Sequence, residues 1–286
     1  MLKKYPINTL CAAPTLYRMF MLEKLPTPQE IPHLRNCLSA GEPNNPEVIE
    51  RWKKATGVGI REGYGQSETT LLCCNMPGMP VRPFSMGKAT PGSDLRIVDD
   101  DLNEVGVEEE GHLALKLPKN EEQRPIGLFK RYIDAPEAMA KSFRGDYYIT
   151  GDKCYRDKDG YIYFVGRSDD VIIMSGYRIG PFEVESALIE HESVAESAVV
   201  SSPDKLKGEV VKAFVVLKPG CKDQAGEKLA HELQEHCKKV TAPYKYPRKI
   251  EFVDSLPKTV SGKTRRVELR QREWADYNKA HVHKHP

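Results

Sequence analysis

Gly166-Arg167-Ser168-Asp169-Asp170 is where the hydrophobic pattern of the chain changes character. Before it, the turn Asp157-Lys158-Asp159-Gly160 leads into Tyr161-Ile162-Tyr163-Phe164-Val165, whose aromatic and β-branched residues predict a strand. After it, Pro181 opens a predicted helix to about His191. Strands near 197–201 and 210–217 follow, then a helix near 226–240 with Leu229, Leu233, Cys237 and Val240 as its inward stripe. That second stretch reads as a small α+β domain. A short polar joint can absorb a φ/ψ change, so the reading divides the chain into domains 1–168 and 169–286.

Further upstream the pattern is α/β layering. Residues 7–25 predict a strand leading into a helix striped with Leu16, Met19, Phe20 and Leu22. Glu47 to Thr56 predicts a second helix, with Val48, Ile49 and Trp52 on one face, Pro46 at its first position and Gly57 as its stop. Leu95–Val98 and His112–Leu115 flank an acidic loop in the manner of a β-hairpin. No internal repeat is visible, which argues against a solenoid.

A chain of 286 residues, 40% hydrophobic, can bury a substantial core. Its formal charge of +2 is close to neutral, but Lys238 to Arg272 holds 11 Lys/Arg against 3 Asp/Glu. That local excess suits an anionic ligand or a solvated face. The seven cysteines are scattered, odd in number and without a C-x-x-C pair, so zinc and a disulfide framework are not expected and a reduced compartment fits. Cys73-Cys74 reads as a redox pair or as inert thiols, and the inert reading is preferred without a lowered pKa. No apolar run approaches the roughly 18 residues of a membrane helix. Met1 to Pro6 shows no apolar h-region or cleavage site, so the chain reads as soluble, with no targeting address expected from these residues.

Several polar segments carry chemistry. In Tyr64-Gly65-Gln66-Ser67-Glu68-Thr69, Gly65 permits a tight turn, Tyr64 offers a flat face to a base, Ser67 can donate to phosphate and Glu68 is a hard oxygen ligand for Mg²⁺. Asp152, after Thr150-Gly151, can accept from two adjacent ribose hydroxyls. Arg167 supplies a fork for ribose or phosphate. Ser175-Gly176-Tyr177-Arg178-Ile179-Gly180-Pro181 sets two glycines beside an arginine, allowing a slender ligand close to the backbone. Each segment alone also fits an ordinary polar loop; in one chain and one order they suit the handling of ATP.

Gly262-Lys263-Thr264, after the strand-like Ile250-Glu251-Phe252-Val253, has the ending of a phosphate-binding P-loop. Pro257 stands where that loop needs glycine, which removes the backbone nest. Lys263 is better read as a flexible point charge on a loop than as part of a preformed phosphate site.

With these residues in order, the chain resembles the adenylate-forming superfamily, and within it the medium-chain acyl-CoA synthetases of butyrate-CoA ligase type. Ser39-Ala40-Gly41-Glu42-Pro43, Tyr64-Gly65-Gln66-Ser67-Glu68, Gly166 to Asp170, Gly176 to Pro181 and Ala242-Pro243-Tyr244-Lys245-Tyr246-Pro247-Arg248-Lys249 carry the resemblance. It implies joining of a carboxylate to ATP·Mg²⁺ as an acyl-adenylate, then displacement of AMP by the thiol of coenzyme A. It also implies that 1–168 is the later part of a large α/β ATP- and acyl-binding domain and 169–286 a mobile α+β lid. Relatives carry a Ser/Thr/Gly-rich phosphate loop that is absent from these 286 residues. A fragment, a truncated gene product or a short isoform, poorly active alone, is therefore expected.

By resemblance, Glu62, Gly63, Tyr64, Gly65, Gln66 and Ser67 line the adenine and phosphate region, Glu68 holds magnesium, and Asp152 and Arg167 take the ribose. Lys263 bridges phosphate and carboxylate oxygens, and Arg178 contacts the phosphate or the acyl carboxylate; with Ser67 these are the candidate catalytic residues. Ser175, Gly176 and Tyr177 face the pantetheine arm once the lid turns about Asp169, and Lys207, Lys238, Tyr246, Pro247 and Arg248 lie near coenzyme A. Lys207 stands where the subfamily often has arginine, and Ser67 where threonine is usual, which puts bidentate gripping of coenzyme A in question at Lys207. The relatives also imply residence in the mitochondrial matrix. A non-catalytic module that keeps nucleotide or coenzyme A binding, and a basic RNA-binding protein, are the alternatives, in that order. No nucleic-acid partner and no integral membrane association are expected.

Overall fold

In the computed structural model, which describes residues 1–281 apart from 22, 260 and 261, the chain begins with β1 (Thr9–Ala12), α1 (Pro14–Met21), β2 (Asn36–Ala40), α2 (Pro46–Thr56) and β3 (Ile60–Gln66). The three strands pair in parallel, so each helix is the crossover that parallel pairing requires. The ends of α2 follow the sequence signals. Asn45 caps it by accepting from the Glu47 N–H, Pro46 sits at its first position, and Gly57 closes it at φ 75°. Trp52 and Tyr17 are fully buried and meet edge to face at 5.3 Å. The stripe of α1 is rotated from the expected one: Leu16 and Met19 are exposed while Tyr17 turns inward, its hydroxyl donating to the carbonyl of Leu38 at 3.1 Å. Leu22 lies outside the described residues.

Beyond β3 the sheet becomes antiparallel. It continues through β4 (Thr70–Cys74), β5 (Ser85–Ala89), β6 (Leu95–Val98), β7 (Gly111–Lys116), α3 (Pro136–Ser142), β8 (Phe143–Arg144), β9 (Tyr147–Arg156) and β10 (Ile162–Arg167). Strand order is β1-β2-β3-β4-β5-β10-β9-β7-β6, with β8 on β9. The expected hairpin is present, Leu95 facing Leu115 and Val98 facing His112.

Two irregularities in this sheet matter. The β3–β4 register slips between Tyr64 and Gly65, and a Cβ on Gly65 would stand 1.8 Å from the Thr70 carbonyl oxygen. Gly65 therefore serves a close backbone approach inside a strand, not the tight turn read from sequence. In the β7–β9 pair, His112 faces Lys153 but Ala114 faces Ile149, so Thr150-Gly151-Asp152 oppose Leu113 alone. Gly151, at φ 78°, takes the left-handed position of this bulge.

The chain divides into two units, Met1–Phe164 and Val165–Pro286. The second carries β11 (Ile172–Met174), β12 (Tyr177–Ile179), α4 (Pro181–Glu190), β13 (Val194–Asp204), β14 (Gly208–Leu217), α5 (Glu227–Val240), β15 (Lys249–Phe252) and α6 (Arg266–His281). Its sheet is β13-β14-β15, with β13 antiparallel and β15 parallel to β14. Val199, Val211, Ala213 and Val215 pack with Val184 and Leu188 of α4 and Leu229, Leu233 and Cys237 of α5. Ala198, Val200 and Phe214 pack instead with Leu256 and Leu269. Alternation along the strands thus fills a core on each face. Val240, expected in the inward stripe of α5, is exposed, because the helix ends at Thr241, whose N–H bonds the Cys237 carbonyl. Among the described residues no helix is long and apolar enough to cross a membrane.

Candidate functional site

The bulge in β9 carries Asp152 into the interior, where it is 3% exposed. The Tyr64 hydroxyl donates to its Oδ2, and Gln66 Nε2 donates both to that oxygen at 3.0 Å and to the Thr150 carbonyl at 2.8 Å. Gln66 Oε1 accepts from the Tyr148 hydroxyl at 2.9 Å. One amide is thereby satisfied at both ends, which fixes its orientation. Burial first, and then the Asp152 charge, push the Tyr64 phenol far above its ordinary value, so it remains a donor. Burial likewise raises Tyr148.

The turn after β3 completes this strip. Gln66 N–H donates to Thr69 Oγ1 at 3.0 Å, Thr69 N–H to the Gln66 carbonyl, and Phe129 N–H to the Glu68 carbonyl at 2.7 Å. These bonds hold Ser67 exposed and Glu68 half-buried at the turn. Glu68 Oε1 accepts from the Tyr132 hydroxyl at 2.9 Å. Tyr132 and Tyr148 were given no role in the sequence reading. Tyr148 sits beside the Thr150-Gly151-Asp152 signal, whereas nothing local in Arg131-Tyr132-Ile133 distinguishes Tyr132.

Glu62 is a buried carboxyl on β3 whose Oε1 accepts from the Asn44 N–H at 2.7 Å. Burial raises it to about 7, against the lowering effect of that bond. Gly63 lies between, where a Cβ would meet Leu71 Cδ1 at 2.7 Å. The strip from Glu62 to Glu68 and Asp152 is thus brought together within the first unit. A carboxylate and a hydroxyl at adjacent positions, Glu68 and Ser67, are hard oxygen donors of the kind magnesium takes. The described residues include no group of three or more His, Cys, Asp or Glu able to enclose an ion. All seven cysteines are free, and Cys73 and Cys74 alternate along β4 with both thiols raised by burial, so the inert reading holds.

In the second unit, Ser175 at φ 51° and Gly176 at φ 87° make the two-residue turn between β11 and β12. A Cβ on Gly176 would meet nothing within 4 Å, while one on Gly180 would stand 2.1 Å from the Val165 carbonyl oxygen. Gly176 is therefore open to a ligand and Gly180 serves packing. Tyr177 stacks on Tyr244 at 4.5 Å, and Arg178 is exposed beside it on β12. Tyr246 has two cations over its ring, Lys238 Nζ at 4.3 Å and the Arg248 guanidinium at 3.9 Å from its centre. Pro247 accepts at its carbonyl from Gln234 Nε2 at 3.0 Å.

Four of the residues singled out from sequence therefore meet in this patch, Lys238, Tyr246, Pro247 and Arg248. Lys207 is on the β13–β14 turn, its N–H bonded to Asp204 Oδ1. Arg167 pairs with Asp169 at 3.6 Å. Lys263 is exposed on a closed loop, its N–H donating to Thr259 Oγ1 at 3.1 Å and its carbonyl accepting from the Thr259 N–H at 2.8 Å.

Residues 1–123 match the AMP-binding enzyme family and residues 183–263 the AMP-binding enzyme C-terminal domain. The chain is 57% identical over 274 residues to the mitochondrial acyl-coenzyme A synthetase ACSM3 of Mus musculus, covering 96% of this chain and 46% of that protein. It is 55% identical over 273 residues to the mitochondrial acyl-coenzyme A synthetase ACSM5 of Homo sapiens, again over 96% of this chain and 46% of that one. The chain thus spans about half the length of the curated relatives it matches. Among solved structures it is similar to the anthranilate CoA ligase AuaEII in complex with anthranoyl-AMP, with TM-score 0.85 and 36% identity over 96% of this chain and 52% of that one. It is also similar to a benzoate CoA ligase from Burkholderia xenovorans LB400, with TM-score 0.79 and 34% identity over 94% of this chain and 52% of that one. The mixed α/β and α+β fold matches these enzymes. The chain belongs to the adenylate-forming, AMP-binding acyl-CoA synthetase family.

Proposed function

We propose that this chain carries the nucleotide-binding and coenzyme A-binding parts of an ATP-dependent ligase that activates medium-chain fatty acids in the mitochondrial matrix. A carboxylate oxygen attacks the α-phosphate of ATP and pyrophosphate leaves; the thiol of coenzyme A then attacks the acyl carbon of the acyl-adenylate, forming the thioester as AMP leaves. Residues 1–168 belong to the large domain and 169–286 form the small lid. The observation that carries the reading is the hydrogen-bonded strip in which Gln66 joins Asp152 to the Glu68 turn.

Asp152 accepts from the ribose hydroxyls, with Arg167 as its companion, and Tyr64 and Gln66 hold that carboxylate in its acceptor pose. Glu62 to Ser67 line the base and phosphates. Glu68 would hold magnesium, which would supply charge neutralisation where two anions approach. Lys263 supplies a second positive charge to the reacting oxygens, Arg178 contacts the phosphate or acyl carboxylate, and Ser67 donates to phosphate. Ser175, Gly176 and Tyr177 serve the pantetheine arm, and Lys207, Lys238, Tyr246, Pro247 and Arg248 the nucleotide end of coenzyme A. The basic stretch and the two cations over Tyr246 support that last assignment.

The test is pyrophosphate exchange into ATP by the full-length protein, run with a panel of straight-chain, branched and aromatic acids. Exchange that depends on a medium-chain acid, followed by acyl-CoA formation when coenzyme A is added, is expected. Exchange independent of added acid, or none with any acid, overturns the reading.

A further inference from the structure

Glu185 on α4 is 5% exposed, yet its carboxylate is fully engaged. Oε1 accepts from the Val199 N–H and from Arg266 Nε, each at 2.8 Å, and Oε2 accepts from Arg266 Nη2 at 2.5 Å. The Glu185 carbonyl accepts from Ser197 Oγ at 3.1 Å. One residue therefore ties α4, β13 and the first residue of α6 into a single body.

Arg266 follows Lys263 by three positions, and the segment between is tightly closed on itself. Arg265 N–H bonds the Pro257 carbonyl at 2.8 Å, Lys258 faces Thr264 in an antiparallel bridge, and Thr259 and Lys263 exchange bonds. The described residues on the two sides of this segment, 257–259 and 262–265, are thus tied to each other, so the direction of Lys263 is set at their base. Leu256 on one side and Leu269 on the other are buried there, but apolar contact is non-directional. Lys258 and Glu196 pair at 2.7 Å with both side chains about one-third exposed, where an ion pair has little hold. A bidentate guanidinium–carboxylate pair does fix direction, because both planes must coincide.

We infer that the Glu185–Arg266 fork is the device that aims Lys263, making both of them positioning residues for the adenylation step. This rests on the role given to Lys263 above.

Two variants of the full-length protein test it. Glu185→Gln keeps size and an acceptor for Val199 but loses the charge; Arg266→Lys keeps the charge and loses the fork. In Glu185→Gln the adenylation kcat should fall about 100-fold, the scale that a misplacement of about 1 Å costs. The KM for ATP, and thioester formation from supplied acyl-adenylate, should stay within about threefold of wild type. Arg266→Lys should fall between Glu185→Gln and wild type, and it carries the same test if Glu185→Gln does not fold. Equal losses in both half-reactions would mean a general structural role and overturn the inference. Hydrogen exchange gives a readout free of activity: the Thr259 and Lys263 amides should exchange about tenfold faster in Glu185→Gln while those of β14 keep their protection. Unchanged exchange at those two amides sinks the fork whatever the enzyme does. Altered exchange in a protein that performs no adenylation sinks the functional reading and leaves the fork standing.

Discussion

The Tyr64 hydroxyl donates to Asp152 across 88 residues of chain, joining a bulged β3 to a bulged β9. Neither residue is free to choose another partner cheaply, since a buried carboxylate stripped of its donors keeps its full desolvation cost.

For that reason Tyr64→Phe should lower stability by about 1–3 kcal/mol while leaving Gln66 on the same oxygen. Asp152→Asn, close to isosteric, should weaken ATP binding about tenfold or more, since an amide cannot accept from both ribose hydroxyls. Calorimetric titration with ATP checks the second effect and urea unfolding the first. Unchanged ATP affinity in Asp152→Asn removes the ribose assignment.

Glu62 gives a pH dependence of definite sign. Its folded value, raised by burial from 4.5 to about 7, means the folded state holds a proton that the unfolded state releases. The resulting stabilisation is full below 4.5 and is lost as pH rises through about 7, amounting to about 3 kcal/mol. Urea midpoints measured across that window, with Trp52 as the sole tryptophan in a Trp274→Phe background and excitation at its red edge, should fall with pH. Glu62→Gln should remove that slope, and parallel slopes in the two proteins would contradict the assignment.

Lys263→Ala should depress adenylation about 100- to 1,000-fold, the scale of removing one charge-stabilising donor, with a far smaller effect on thioester formation from supplied acyl-adenylate. Single-turnover measurement of the two half-reactions separates them. Equal losses would deny Lys263 its place in the first step.

The Lys238–Tyr246–Arg248 cluster should matter to coenzyme A and not to ATP. Tyr246→Ala removes a ring in contact with two cations, contacts worth about 0.5–1 kcal/mol each at exposed sites. The KM for coenzyme A should rise several-fold, more steeply at low salt, with the KM for ATP unchanged. A matching rise for ATP would reassign the patch.

The sequence alone determined several of the elements and their ends. Pro46 and Gly57 bound α2, Pro181 starts α4, and alternation in 95–98 and 112–115 yields the hairpin, because caps, turns and periodicity are local physics. It also marked the Tyr64–Glu68 turn and Asp152 as one apparatus. Only tertiary structure decided how they meet. The β7–β9 slip opposite Leu113, the Gly65 approach to Thr70, and the partnerships of Tyr132 with Glu68 and Glu185 with Arg266 join residues far apart in sequence, where no local preference reports them. Helix α6 was silent for a related reason: it is charged nearly all round and is seated largely by polar contacts, Arg266 on Glu185, Arg270 on Asp170, Arg272 on Glu251, Glu273 on Lys212 and Trp274 donating to Ser201 at 3.0 Å, with Leu269 in the core, so no amphipathic stripe announces it.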